Sequence, residues 1–179
     1  MQNLNFSIAS DADIPDLEKL VNSAYRGDVS KKGWTTEAHL LDGIRTDEEN
    51  LREMIGWSDA QFLKCTTSAD ELVGCVFLKK MEEKMYLDML TVSPFQQANG
   101  IGKQLLNAAE KHALNHGCER IEMTVITDRT DLISWYERHG YVCTNETRPF
   151  PKDPRYGIPK KPLSFVVLTK QLQPETVTE

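Results

Sequence analysis

The chain has 179 residues, 40% of them hydrophobic and 27% charged, and a formal net charge of −6. That length fits one ordinary domain with a real core. The negative balance excludes bulk electrostatic binding to nucleic acid or to an anionic membrane, and it favours a cationic or amine substrate.

No stretch approaches about 18 consecutive apolar residues, so no transmembrane helix is expected. The start, MQNLNFSIAS, lacks the basic-then-apolar pattern of a secretory signal, and a cytoplasmic setting is expected. Cys65, Cys75, Cys118 and Cys143 are widely spaced and form no C-x-x-C unit. They read as reduced, mostly buried thiols.

NFSIAS reads as a first strand. A helix follows, with Asp13 as cap, Pro15 in its first turn, and Ile14, Leu17, Leu20 and Val21 at helical spacing. The stretch RGDVSKKGWTTEAHLLDGIRT is irregular, with a short helical turn after Thr35. DEENLREMIG reads as a second helix, acidic at its start as the helix dipole favours. AQFLKCTT, ELVGCVFLKKM and KMYLDMLTV read as three strands joined by short polar links, hence antiparallel hairpins.

GIGKQLLNAAEKHALNHG is the clearest helix: Ile101, Leu105, Leu106, Ala109 and Ala113 line one face and Gly117 ends it. CERIEMTVI is a strand and RTDLISWYERHG a helix closed by Gly140. YVCTNETRPF and PLSFVVLTKQL are the last strands. The order β-α-α-β-β-β-α-β-α-β-β predicts an α/β (α+β) domain over residues 1–173. It has a mixed, mostly antiparallel sheet of about seven strands and about four flanking helices, followed by a disordered tail at 174–179.

The turn QQANGIGK falls between a strand ending at Val92 and the clearest helix. Free N–H groups at a helix N-terminus attract an anion, and glycine lets the backbone approach it. A Walker loop would need glycine where Gln97 stands and Ser or Thr where Gln104 stands; a dinucleotide fingerprint would need glycine at Leu105. What remains is Gln97-x-x-Gly100-x-Gly102 directly after LDMLTVSPF, with WYERHGY downstream.

This arrangement resembles the pyrophosphate-binding motif of the GNAT superfamily of acyl-CoA N-acyltransferases, over about residues 5–170. The resemblance implies that acetyl-CoA is the co-substrate. Leu90, Thr91 and Val92 would pair with its pantetheine arm, and Gln97, Ala98, Asn99, Gly100, Ile101, Gly102 and Lys103 would meet its pyrophosphate. Arg129 stands where the family often has asparagine; a contact to the cofactor and a surface position are both open to it.

In the family a tyrosine protonates the leaving thiolate, and Tyr136 in YERHGY matches it. A phenol titrates near about 10 and a thiol near about 8.5, so the transfer is cheap. A base must also take the amine's proton. Relatives often use a carboxylate on the strand before the loop, where Asp88 stands; Glu122 is a second choice. Strand alternation puts Asp88 on the side of Tyr86 and Leu90, opposite Met89 and Thr91. An oxyanion donor would be a main-chain N–H near Leu90 or Val92.

The family recognises its acceptor with the two long loops, so Tyr25, Trp34 and Glu37 are the expected acceptor-binding residues. The acceptor would be a small-molecule or peptide amine. Glu37 suits an ammonium group or a helix cap, and Arg45 and Arg148 would suit an acceptor bearing a carboxylate. His112 and His116 have metal-ligand spacing, but HALNH lacks the zinc-protease glutamate and a third ligand, so no metal is expected.

No cysteine suggests a covalent acyl intermediate, so direct transfer is expected. A non-catalytic acyl-CoA sensor and a transferase using another donor, such as succinyl-CoA, stay open. Relatives often dimerise, which makes a homodimer the protein partner to consider.

Overall fold

The described residues form nine strands and five α-helices. β1 is Leu4–Ile8, α1 Ile14–Tyr25, α2 Gly27–Ser30, β2 Leu41–Asp42, α3 Glu48–Ile55 and β3 Ala60–Thr67. β4 is Leu72–Met81, β5 Lys84–Val92, α4 Ile101–Asn115, β6 Arg120–Ile126 and α5 Thr130–Arg138. β7 is Val142–Pro149, β8 Ile158–Pro159 and β9 Ser164–Gln171. The computed structural model describes residues 3–174. The expected tail at 174–179 lies outside the described residues, apart from Pro174.

Seven strands form one sheet in the order β1-β3-β4-β5-β6-β9-β7. Its neighbours run antiparallel except β5 and β6, which are parallel because α4 carries the chain from one to the other. This is the mixed, mostly antiparallel sheet expected. Two additions escaped the sequence pattern: the one-turn helix α2 and a β2–β8 ribbon that ties the two long loops together. Segments of two to four residues are too short to show a period.

The apolar face of α4 packs where its spacing predicts. Ile101, Leu105, Leu106, Ala109 and Ala113 are all buried against β4, β5 and β6. Burying each large side chain contributes roughly 1.5–3 kcal/mol. The opposite face of the sheet is covered by α1 and α3 through Ile14, Leu17, Val21, Leu51 and Met54.

The first turn of α1 departs from expectation. Asp13 makes no cap bond there; its carboxylate accepts the Ser10 N–H at 2.8 Å and pairs with Lys64 at 2.7 Å. Asp47 does cap α3, accepting the Asn50 N–H at 2.7 Å.

One irregularity shapes the centre of the sheet. Thr91 faces Cys75 while Asp88 faces Phe77, so Met89 and Leu90 together oppose Val76. This is a β-bulge, and Met89 sits at φ 51°. The bulge reverses the alternation of β5. Met85 and Leu87 enter the core beneath α4, Met89 enters the core beneath α1 and α3, and Leu90 and Val92 return to the α4 side. Asp88 therefore shares a face with Tyr86, as expected, but not with Leu90.

β5 and β6 stay paired only at Lys84–Arg120, Met85–Ile121 and Tyr86–Glu122. Beyond Tyr86 they part. The Tyr86 hydroxyl spans the opening gap to the Thr124 hydroxyl at 3.0 Å.

Candidate active site

The parting strands open two cavities, one on each side of the sheet's centre. The first, about 350 Å³, is lined by Tyr25, Glu37, Arg45, Trp57, Tyr86 and Asp88 among others. The second, about 480 Å³, is lined by Trp34, Val92, the turn around Gly100, Lys103, Trp135 and Arg138 among others. Tyr25, Leu90, Leu132 and Tyr136 border both, so the cavities meet at these four side chains.

The second cavity is bordered by the end of β5 and the turn before α4, the segments expected to meet acetyl-CoA. Ser93 donates to Val73 of β4 at 2.9 Å. Alternation then turns the peptide groups of Val92 and Leu90 away from β4 and toward the cleft. Their carbonyls are taken: Val92 accepts from Gln97 at 3.1 Å, and Leu90 accepts from the Tyr25 hydroxyl at 2.5 Å. Ala98 and Gly100 both have positive φ, 68° and 75°, which coils the turn before α4. For Gly100 this conformation explains the glycine. Ile101, Gly102 and Lys103, whose N–H groups have no partner within α4, then border the cavity.

Gln97 borders the second cavity, and its side chain is bonded within the protein. Its Oε1 accepts the Trp34 N–H at 2.9 Å, and its Nε2 donates to the Thr35 hydroxyl at 2.9 Å. The side chain thus ties the loop after α2 to the end of β5. Arg129 makes the same tie from the N-cap of α5. It is not a surface residue: it is buried, and its guanidinium donates to the carbonyls of Thr35 at 3.1 Å and Trp34 at 3.3 Å and pairs with Asp131. It borders the first cavity, not the second. These ties place Trp34 in the lining of the second cavity, within 6.2 Å of Trp135, whereas Glu37 lines the first.

The first cavity holds the acid–base candidates. Asp88 Oδ1 accepts from Arg45 at 3.0 Å and from the Met89 N–H at 2.7 Å. Its Oδ2 forms no hydrogen bond with another described residue, and the side chain is 35% exposed. Glu37 is bonded by Arg26 at 3.2 Å, so its charge is matched within the protein and it caps no helix.

Glu122 is turned away, lines neither cavity, and lies between Lys84 at 3.0 Å and Arg148 at 3.2 Å. Burial pushes its carboxyl up, but these two cations outweigh it and hold the group below its ordinary value. Arg148 is likewise spent outside the cavity.

Tyr136 is buried, with its ring edge-on to Trp135 and Tyr141. Its hydroxyl has no hydrogen bond to another described residue. Burial, then the nearby Tyr25 and Asp88, push it well above the usual phenol value; Arg129 opposes them. It remains a protonated donor at neutral pH.

No cysteine lines either cavity, and burial pushes the Cys65 and Cys75 thiols up to about 11 and about 12. Among the described residues no group of three or more His, Cys, Asp or Glu is arranged to hold a metal, and no helix is long and apolar enough to cross a membrane.

A parallel strand pair that splays at a bulge, with a coiled turn at a helix N-terminus beside it, defines a GNAT-type acyltransferase scaffold. A profile of the acetyltransferase (GNAT) family matches residues 19–141, and the chain belongs to that family of N-acetyltransferases, whose co-substrate is acetyl-CoA. Among relatives, a mycothiol acetyltransferase of Saccharopolyspora erythraea is 31% identical over 105 residues, 56% of this chain and 34% of the relative. One of Jonesia denitrificans is 29% identical over 97 residues, 51% of this chain and 31% of the relative. The chain spans about a third of the length of these curated relatives.

The ribosomal-protein-S18-alanine N-acetyltransferase of Escherichia coli shares the fold with a TM-score of 0.69 at 13% identity, covering 99% of this chain and 100% of that one. A spermidine N-acetyltransferase chimera from Vibrio cholerae has a TM-score of 0.66 at 15% identity, covering 94% and 95%.

Proposed function

We propose that this chain transfers an acetyl group from acetyl-CoA directly to a primary amine of a small molecule or peptide. The observation that carries the proposal is Tyr136: a buried side chain whose hydroxyl is unbonded, at the junction of the two cavities.

Acetyl-CoA supplies an activated acyl thioester. In this reading the Leu90 and Val92 N–H groups pair with its pantetheine arm like an added strand, with Thr91 facing the other way. The turn of Ala98, Asn99 and Gly100 and the first turn of α4, with Lys103, receive the pyrophosphate through N–H groups and the helix dipole. Gln97 and Arg129 serve this cleft by fixing the loop that walls it.

On the acceptor side, Asp88 Oδ2 takes the proton of the attacking amine, and Tyr25 and Glu37 shape the entrance. Tyr136 gives a proton to the departing thiolate. Direct transfer is supported by the absence of any cysteine from the lining.

A thiol-release assay with acetyl-CoA and a broad amine panel tests the proposal. Tyr136→Phe is expected to lower kcat roughly a hundredfold while calorimetric affinity for acetyl-CoA holds. Unchanged turnover in that variant removes Tyr136 from the mechanism. Tight CoA binding with no thiol release for any amine replaces the enzyme with an acyl-CoA sensor.

A further inference from the structure

We infer that the acceptor amine also carries a carboxylate, bound by Arg45 and Lys79. This rests on the acetyl-transfer reading above and names the class of its acceptor.

The charges lining the first cavity are unbalanced. Arg26, Arg45, Lys79 and Arg129 face Glu37 and Asp88; with Asp131 pairing Arg129 at 3.2 Å from outside this lining, an excess of one positive charge remains. Neither anion is free to balance a substrate cation beyond the reacting amine: Glu37 is paired with Arg26 at 3.2 Å and Asp88 with Arg45 at 3.0 Å. Asp88 keeps one oxygen for the reacting nitrogen, and nothing is left for a second ammonium. A polyamine would bring further positive charge into a cavity that already has too much.

The cations are not equally committed. Arg26 also donates to the carbonyls of Ile44 at 3.2 Å and Tyr156 at 3.1 Å, and Arg129 is spent on Trp34, Thr35 and Asp131. Arg45 contacts Asp88 through Nη2 alone, and its side chain makes no other hydrogen bond with a described residue. Lys79 has no ion pair among the described residues; its ammonium lies 4.5 Å from the centre of the Trp57 ring.

Both groups stand beside the proposed base. Lys79 is opposite Tyr86 and Phe77 opposite Asp88 in the β4–β5 register, and directly opposed residues share a face. Lys79 is thus the diagonal neighbour of Asp88, on the same wall, and Arg45 touches Asp88 itself. A planar guanidinium with unspent N–H groups suits a carboxylate. The cavity of about 350 Å³ is at the small-molecule end of the range for binding sites. An amine beside a carboxylate presents the two charges that Asp88 and Arg45 complement.

The test measures thiol release from acetyl-CoA with the free amino acids, the amide of each, the corresponding decarboxylated amines, and spermidine. At least one carboxylate-bearing amine is expected to exceed its amide and its decarboxylated form in kcat/KM by about tenfold or more. Lys79→Met, which keeps the stem on Trp57, is expected to lower kcat/KM for the acid more than for the amide.

Amides or spermidine turning over as well as, or better than, the acids would overturn the inference and leave the acetyltransferase reading standing. The same holds for an acid preference that Lys79→Met and Arg45→Lys both leave intact. No thiol release with any amine would overturn both.

Discussion

Gln97 in the glycine turn accepts the main-chain N–H of Trp34 at 2.9 Å, a contact across 63 residues of sequence. The same side chain donates to Thr35 and to the Val92 carbonyl. One amide thus joins the glycine turn, the loop after α2 and the end of β5. Gln97→Ala removes three hydrogen bonds and leaves partly buried groups without partners, a loss of about 1–3 kcal/mol. The expected outcome is a lower Tm with KM raised for both acetyl-CoA and acceptor. A variant with unchanged Tm and a raised KM for acetyl-CoA alone would instead assign Gln97 to direct cofactor contact.

Arg26 reaches Glu37 by passing Gly157, where an added Cβ would stand 2.4 Å from the Arg26 Nη1 and 3.1 Å from the Asp42 carbonyl. Gly157 also holds φ at 105°, which disfavours any side chain. Gly157→Ala therefore combines backbone strain with displacement of a buried ion pair. A destabilisation of about 2 kcal/mol or more is expected, read as a shift in the denaturation midpoint. Activity should fall with it if the first cavity receives the acceptor, because Arg26 and Glu37 wall it. A variant as stable as the parent would mean that the β2–β8 ribbon yields freely at this point.

Much of the scaffold was legible because its signals are local. The three central strands run where their alternation and polar links put them, and all five apolar positions of α4 are buried. The bulge was not legible. No glycine or proline marks it, and Met89 at φ 51° breaks the usual preference. Its local cause is visible only in three dimensions: the Asp88 carboxylate holds the next N–H at 2.7 Å. That one residue put Leu90 on the wrong face in the sequence reading.

The ion pairs Arg26–Glu37 and Arg45–Asp88 were hidden for a related reason. They join loops to strands through packing, and no spacing rule links their positions. Lys79 carried no motif at all.

The Glu122 carboxylate makes the stability of the β5–β6 junction dependent on pH. Burial opposes its charge, but Lys84 and Arg148 prevail and its folded value is depressed. A depressed carboxylate contributes stability that is complete above its ordinary value near about 4.3. That contribution is lost as pH falls through the lower folded value. Glu122→Gln should lower Tm at neutral pH, and the gap to the parent should narrow below about pH 4. A gap that stays constant into acid would show that packing, not ionisation, accounts for the loss.

Asp88→Asn keeps the shape of the side chain and its acceptor for Met89 while removing the charge that meets Arg45. With Asp88 as base, kcat should fall roughly a hundredfold or more, and raising the pH should recover part of it by supplying acceptor already deprotonated. The bulge should survive, so acetyl-CoA affinity should stay close to that of the parent. A fall in acetyl-CoA affinity as large as the fall in kcat would mark Asp88 as a residue that holds β5 in shape rather than the base.

Tyr136 makes the sharpest prediction about pH, because its environment pushes against ionisation. Burial, Tyr25 and Asp88 all raise its value above that of an ordinary phenol, and only Arg129 opposes them. An acid with a raised value stays protonated at every pH below it, so the proton donor persists on the alkaline side. The acceptor amine, meanwhile, gains reactive free base as pH rises toward about 10. The profile of kcat/KM should therefore climb from neutral pH and level off, with no falling limb up to about pH 10, where a solvated phenol would be half ionised. In Tyr136→Phe the same climb should appear at a lower level, because the base step is intact and only the donor is missing. A falling limb below pH 10 that vanishes in Tyr136→Phe would mean that the phenol ionises in the working range and that the cleft is wetter than the burial of Tyr136 implies.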